Sequence, residues 1–363
     1  MKRKGGLFDE ICSIDNLRKV FYKAADGKHG RKSVKRVEDD LDNKLKELRT
    51  MLLNGEFHTS EYRTKTIYEP KERVIYILPF WPDRVVHHAI MNVIEPYWTG
   101  LFDVNSFSCV KGRGQHKASA KCLQYVKHYK EAYKADIHHF YPSLNHRVIK
   151  RIIRKKIKDK RLLALLDDII DSIPGETNVP IGNLISQWFG NLYLNELDKF
   201  IRQELHCKAY LRYCDDFILF SNSHEQLKEW KARIDDFVHN ELLLDFSRES
   251  FIKTKQGIDF IGYRHFPQGY ILVRKSTARK TKKNLKEVRR QMEEKSISPE
   301  SARGKVESAH GWISWANAHN LEMSLDIDNL RKEAESYAEL FRNSKEFGDR
   351  QGWEEAAYCG CAG

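Results

Sequence analysis

No stretch of about 18 apolar residues occurs anywhere in the 363-residue chain, so no membrane-spanning helix is expected. The basic start Lys2-Arg3-Lys4 is followed by Gly5, Gly6, Asp9 and Glu10 instead of an apolar segment, and no signal peptide is expected. Paired cysteine knuckles are also missing. The seven cysteines (12, 109, 122, 207, 214, 359 and 361) are odd in number and scattered, so zinc is not expected and a reducing compartment is. Cys359 and Cys361 together supply two ligands where a structural zinc takes four. Cys12 and Arg18 have the spacing of a cysteine phosphatase, but the residues between them are no glycine-rich cradle, which excludes that chemistry.

What the chain has is positive charge. The net charge is +12 and the pI about 9.2, which points to a polyanionic partner, foremost nucleic acid. An apolar fraction of 41% with 11% aromatics supports globular packing, and the length calls for two or three subdomains. Two segments concentrate the charge. Residues 147–161 hold nine Lys/Arg against one Asp, with Val148, Ile152, Ile153 and Ile157 as an apolar stripe. This amphipathic helix suits RNA or an acidic protein surface. Residues 274–290 hold nine basic residues against one Glu.

The chain is organised around Tyr213-Cys214-Asp215-Asp216. Short aromatic and branched runs flank it, Ala209–Arg212 before and Phe217–Phe220 after, and predict two strands with the aspartates at the bend. Asp-Asp suits a turn for backbone reasons alone. A third carboxylate, Asp136, stands in a similar strand between Tyr133 and Tyr141. One strand-borne Asp and one hairpin-borne pair are the minimum equipment for two-metal phosphoryl transfer.

Around these, the periodicity predicts a helix from Leu17 capped by Asp15 or Asn16, and a second over 33–53. A hairpin with a basic tip follows over 56–80, of a type that grips phosphates. Asp83 is expected to cap a helix ending before Pro96. The Lys111–His116 loop with Arg113 suits a nucleic-acid backbone, and a helix over 118–129 follows. Ile181–Gln187 opens a long helix, with Gly182 allowing close approach to the backbone and Ser186 and Gln187 projecting from its first turn. Short strands at 242–246, 251–253, 257–263 and 270–273 precede helices near 278–295, 299–318 and 326–343, with Trp312, Trp315 and Leu321 as core. The last residues, from about 346, carry no periodic pattern.

In this order the parts resemble a reverse transcriptase over roughly residues 56–320. The motifs are Arg73-x-Ile75, Pro79-x3-Asp83-Arg84-Val85-Val86-His87, Asp136-Ile137-x-x-Phe140-Tyr141-Pro142-Ser143, Tyr213-Cys214-Asp215-Asp216, and Gly257-Ile258-Asp259-Phe260-Ile261-Gly262-Tyr263. Cys214 departs from the apolar residue common there. Ile181-Gly182-Asn183-Leu184-Ile185-Ser186-Gln187 is similar to the reverse transcriptases of diversity-generating retroelements, where most group II intron and retron enzymes have Ser-Pro.

The resemblance implies an α+β fold: a right-hand polymerase with fingers, a ferredoxin/RRM-like antiparallel palm sheet and an α-helical thumb. It divides the chain into an N-terminal helical extension (1–55), fingers and palm (56–268, with fingers also in part of 145–200), a thumb (269–345) and a flexible tail (346–363). No DNA-binding or endonuclease module is expected after the thumb. The implied activity is RNA-directed DNA synthesis, error-prone at template adenines. Asp136, Asp215, Asp216 and the Ile137 carbonyl would hold two Mg²⁺ ions. Lys65, Lys71, Arg73, Tyr141 (as a gate against the ribose 2′-hydroxyl), Ile181, Gly182 and Gln187 would contact the dNTP. Arg113, Gly257, Phe260, Gly262, Tyr263, Arg274, Lys275, Arg279 and Lys280 would contact nucleic acid. Partners would be template RNA, the RNA/cDNA duplex and a small oligomeric accessory variability protein, in the cytoplasm of a bacterial or phage-infected cell. A retron, group II intron-like or phage-defence enzyme, or an RNA-binding maturase-like protein with a vestigial palm, are the alternatives.

Overall fold

The computed structural model describes residues 3–68 and 72–343, with side chains through residue 340. The expected Lys71 contact and the tail with Cys359 and Cys361 lie outside the described residues. By internal packing the chain forms two units, the first comprising residues 1–114, 133–219 and 223–251, the second 115–132, 220–222 and 252–363. Residues 115–132 and the strands after 252 group with the C-terminal helices in the second unit.

The first unit opens with α1 (Phe8–Ile11), α2 (Ile14–Ala25), α3 (Lys32–Glu38) and α4 (Leu41–Asn54). Ser13, not Asp15 or Asn16, caps α2 by accepting from the Asn16 N–H, while Asn16 is buried and donates to the Ile11 and Ala89 carbonyls. The single helix expected over 33–53 is broken between α3 and α4. Leu41, Leu45, Leu48 and Leu52 make the buried stripe of α4, and Gly55, at φ 72°, ends it.

A hairpin follows: β1 (Arg63–Ile67) pairs antiparallel with β2 (Arg73–Ile77). α5 (Val85–Thr99) runs through Pro96 rather than stopping before it. Asp83 does not cap it. Its carboxylate is buried and accepts from the Ser60 N–H and hydroxyl, at 2.9 and 2.7 Å.

α6 (Gln115–His128) leads into β3 (Glu131–Ile137). α7 (Phe140–Ser143), α8 (His146–Arg154), α9 (Lys160–Asp171) and α10 (Leu184–Lys199) come next. The bend hairpin is β4 (Tyr210–Tyr213) and β5 (Asp216–Ser221), followed by α11 (His224–Asn240) and β6 (Phe246–Lys253). The strands order as β4-β5-β3-β6. β6 is one strand where two were expected, and 242–245 lies outside it. Along β3, Tyr133, Ala135 and Ile137 are buried while Lys134 and Asp136 take the other face. The sheet's apolar face joins α5, α8, α9 and α10 in one core that includes Trp98, Phe189, Tyr193 and Phe217.

The second unit has its own three-stranded sheet, β7 (Ile258–Phe260), β8 (Tyr263–His265) and β9 (Ile271–Val273). α12 (Lys275–Glu293), α13 (Pro299–Ile313), α14 (His319–Leu325) and α15 (Ile327–Asn343) complete it. Leu285, Val288, Met292, Val306, Ile313 and Leu330 form its helical core. Leu321 packs against that core from a half-buried position. Trp312 stacks on Tyr263, with ring centroids 4.4 Å apart. Trp315 is not core: it is 36% exposed, stacks on His116 and donates to the Ser119 hydroxyl.

Candidate active site

Tyr213 pairs with Asp216, so the bend is a two-residue loop of Cys214 and Asp215, and Asp216 already belongs to β5. Cys214 sits at φ 56°, a left-handed conformation that costs a non-glycine residue roughly 1–2 kcal/mol. Neighbours hold it there. Arg212, the third residue of β4, is fully buried and donates from Nη1 to the Cys214 carbonyl at 2.8 Å. Tyr141 in α7 places its hydroxyl 4.0 Å from the Cys214 sulfur, and its ring lies against Gly190 of α10.

Asp136 lies on β3, next to β5 in the sheet, on the same strand face as Lys134. Lys134 reaches across to Asp216 at 2.8 Å. Ser247 of β6 donates to the Asp136 carboxylate at 2.7 Å. Burial raises the Asp215 carboxyl above its ordinary value, Asp136 raises it further, and Arg73 pulls it back. Burial also pushes Asp216 up to about 6 against the opposing pull of Lys134, with Asp136 and Asp215 adding to the rise. The three carboxylates therefore share one field in the first unit. Ile137, whose carbonyl was expected to assist, is buried directly after Asp136.

These residues fit divalent cations. Oδ1 of Asp216 is buried and has no hydrogen-bond partner, and the clustered negative charge is what a cation relieves. Among the described residues, no group of three or more His, Cys, Asp or Glu stands gathered to hold an ion alone.

The β1–β2 hairpin brings the expected triphosphate groups to one face. Lys65 opposes Ile75 and Arg73 opposes Ile67, so Lys65, Arg73 and Ile75 point the same way. The turn before α10 docks on this hairpin, where the Tyr76 N–H donates to the Ile181 carbonyl at 2.8 Å. Gly182 sits at φ 110°, and a Cβ there would stand 2.8 Å from Ile75 and 2.9 Å from the Tyr76 carbonyl. Gln187 is half-buried on the first turn of α10, but Ser186 is buried and does not project.

Several nucleic-acid contacts expected from the sequence are not placed for that role. Arg113 turns inward, donating to the Asp103 and Ser106 carbonyls at 2.5 and 2.7 Å, and so closes its own loop. Phe260 and Tyr263 are completely buried, because alternation along β7 and β8 turns them into the core of the second unit. Gly257 and Gly262 sit at φ 83° and 84°. A Cβ on Gly257 would stand 2.7 Å from the Phe266 ring, and one on Gly262 2.5 Å from the Trp312 ring. Within the second unit, Arg274 is half-buried 4.0 Å from Asp259, and Lys275, Arg279 and Lys280 are exposed on α12.

The residues that support the carboxylates were not foreseen. Lys134 was legible two positions before Asp136, where strand alternation puts both on one face. Arg212 was legible as a charge inside an apolar strand. It forms a fully buried bidentate pair with Asp198 of α10, at 2.8 and 2.6 Å. Ser247 gave no signal.

The family model described as "Reverse transcriptase (RNA-dependent DNA polymerase)" matches residues 65–265, more than half of the chain. Protein YkfC of Escherichia coli (strain K12) is 24% identical over 277 residues, covering 61% of this chain and 70% of that protein. The group II intron-encoded protein LtrA of Lactococcus lactis subsp. cremoris is 22% identical over 325 residues, and the match covers 67% of this chain and about half, 54%, of LtrA. In backbone the chain is similar to apo telomerase from Candida tropicalis at a TM-score of 0.46 and 13% identity, over 76% of this chain and 58% of that one. With its mixed helices and antiparallel sheets and Asp136 and Asp216 on neighbouring strands, the chain belongs to the reverse transcriptase family.

Proposed function

We propose that this chain is an RNA-directed DNA polymerase that copies a template RNA into cDNA, and that it serves a diversity-generating retroelement, misincorporating opposite template adenines. The observation that carries the polymerase reading is the shared field of Asp136, Asp215 and Asp216, with Arg73 acting on Asp215. Asp136 and Asp215, assisted by Asp216 and the Ile137 carbonyl, would hold two Mg²⁺ ions. When bound, such ions activate a primer 3′-hydroxyl and neutralise charge on a pyrophosphate leaving group.

The remaining work falls to the chain's own side chains. Arg73 and Lys65 grip the triphosphate from one hairpin face, Arg with a bidentate fork and Lys as a point charge. Tyr141, packed on Gly190 and beside Cys214, serves as the gate against a ribose 2′-hydroxyl, a reading its position beside the bend supports. Ile181, Gly182 and Gln187 line the nascent base pair, and an apolar Ile181 leaves that pair without a hydrogen-bond check.

The motif Ile181–Gln187 supports the retroelement assignment, and an accessory variability protein would then be a partner. The similarity to LtrA favours a second reading, a group II intron-type reverse transcriptase. One experiment addresses both levels. Mg²⁺-dependent dNTP incorporation on an RNA template is expected for the natural chain and is abolished in Asp215→Asn, with RNA binding retained. Sequencing of the cDNA is expected to show errors concentrated at template adenines. Extension by Asp215→Asn at the natural rate refutes the site, and evenly spread errors refute the retroelement assignment in favour of the intron-type reading.

A further inference from the structure

The most basic stretch of the first unit takes no part in the site above. On α8, Arg147, Lys150, Arg151 and Arg154 recur at i, i+3, i+4 and i+7, which is one face of a helix. Val148, Ile149, Ile152 and Ile153 take the opposite, buried face. The cationic face lines an open groove of about 1070 Å³, into which Lys155 and Arg3 also reach. Arg3 is brought there by its own backbone neighbour: Lys4 forms a parallel bridge with Ile157, exchanging hydrogen bonds with Lys156 and Lys158.

Two carboxylates, Asp171 and Glu176, stand in the lining against six cations. Lys150 pairs with Asp171 and Arg154 with Asp167, while Arg151 and Lys155 lie 3.6 and 3.7 Å from Glu241 and Glu196. Surface pairs of this kind are weak and readily exchanged for phosphate. Arg3 and Arg147 have no ion-pair partner among the described residues.

The lining also selects the class of polyanion. Its one aromatic ring, His146, is buried with Nε2 against the Asn178 carbonyl at 3.0 Å and offers no open face, whereas single strands are gripped by stacking bases on aromatics. Its one apolar side chain is Leu243, and a protein partner docks on a buried apolar and aromatic centre. What is left is a row of cations spanning about 10 Å of helix. Such a row reads phosphates and not bases, as in recognition of base-paired RNA by shape and backbone.

We infer that the α8 groove is a binding site for the phosphate backbone of base-paired RNA, separate from the polymerase carboxylates. The inference rests on the family's handling of RNA, and the readout that decides it is binding. Arg147→Glu/Arg151→Glu alters two exposed side chains and leaves the apolar face of α8 intact. The probes are a blunt RNA duplex of about 20 base pairs and a single-stranded oligouridine of equal length. In the full chain, the double variant is expected to weaken duplex binding about tenfold or more and to flatten the slope of log affinity against log salt by about two. Oligouridine binding and extension of a preformed primer–template are expected to stay within about twofold of the natural chain. Unchanged duplex affinity overturns the inference, as does equal loss of both RNAs. Loss of binding to polyglutamate with duplex affinity intact overturns it in favour of an acidic protein. An inactive polymerase with normal duplex binding by the natural chain would sink the proposed function and leave the groove standing.

Discussion

Replacing Asp198 by Asn tests whether the catalytic turn is held from behind. Asp198 and Arg212 are both fully buried. The carboxylate accepts from Arg212 Nε and Nη2 at 2.8 and 2.6 Å and from the Tyr210 hydroxyl at 2.5 Å. The same guanidinium donates from Nη1 to the Cys214 carbonyl, one peptide before Asp215, and to Asn191 at 3.2 Å. Asn keeps the shape but turns an amide N–H₂ toward one guanidinium donor and leaves a buried cation without its counter-charge. Breaking one side of such a pair costs on the order of 3–5 kcal/mol. Urea unfolding followed by tryptophan fluorescence should lose that much. Single-turnover extension should fall roughly a hundredfold, because a small displacement of Asp215 spoils its geometry. Asp198→Leu/Arg212→Met separates the two effects. A packed apolar pair restores most of the stability, since a buried ion pair is seldom better than its hydrophobic replacement. It cannot restore the bond to the Cys214 carbonyl, so extension stays impaired. Natural stability in Asp198→Asn, or full extension by the double variant, would refute the reasoning.

Burial holds His87 and His88 neutral, pushing them down to about 3 and about 4. Both folded values lie below the unfolded value near 6.5, so their stability contribution is whole above pH 6.5 and is lost as pH falls toward 4. At pH 5 the loss is roughly 2 kcal/mol for each histidine. Urea midpoints at pH 7.5 and 5 check this, and an acid loss undiminished in His87→Gln counts against it. Gly182→Ala adds a Cβ 2.8 Å from Ile75 in a backbone conformation that disfavours it, a strain of roughly 1–3 kcal/mol. The expected result is a KM for dNTP raised about tenfold with the melting temperature lowered by about a few degrees, and an unaltered KM removes Gly182 from the pocket. Substituting Ile181 by a polar residue should lower the error frequency at template adenines, and sequenced cDNA with the natural error pattern would contradict its role.

Much of the site was legible from residue type and period. Alternation along β3 and the paired runs around Tyr213–Asp216 put Asp136 on a strand and Asp215 and Asp216 at a hairpin bend, and strand alternation is a local property. The basic hairpin was legible for the same reason. The helix boundaries around residues 39–40 and at Pro96 were not, because packing on neighbours overrides local propensity there. Phe260, Tyr263 and Arg113 show the limit for function. An aromatic in a glycine-flanked motif, or an arginine in a glycine loop, reads alike whether it faces a ligand or its own core, and only burial distinguishes the two.

The amino-acid order alone determined which residues can carry charge and which strands they ride on, since both follow from side-chain chemistry and a two-residue period. It determined the excess of cations and the order of the motifs. Only the tertiary structure decided which groups meet across long separations: Lys134 with Asp216, Ser247 with Asp136, Asp198 with Arg212, and Arg3 with the cationic face of α8. Those pairings depend on how sheet and helices pack, and packing is set by the whole core rather than by any local stretch of chain.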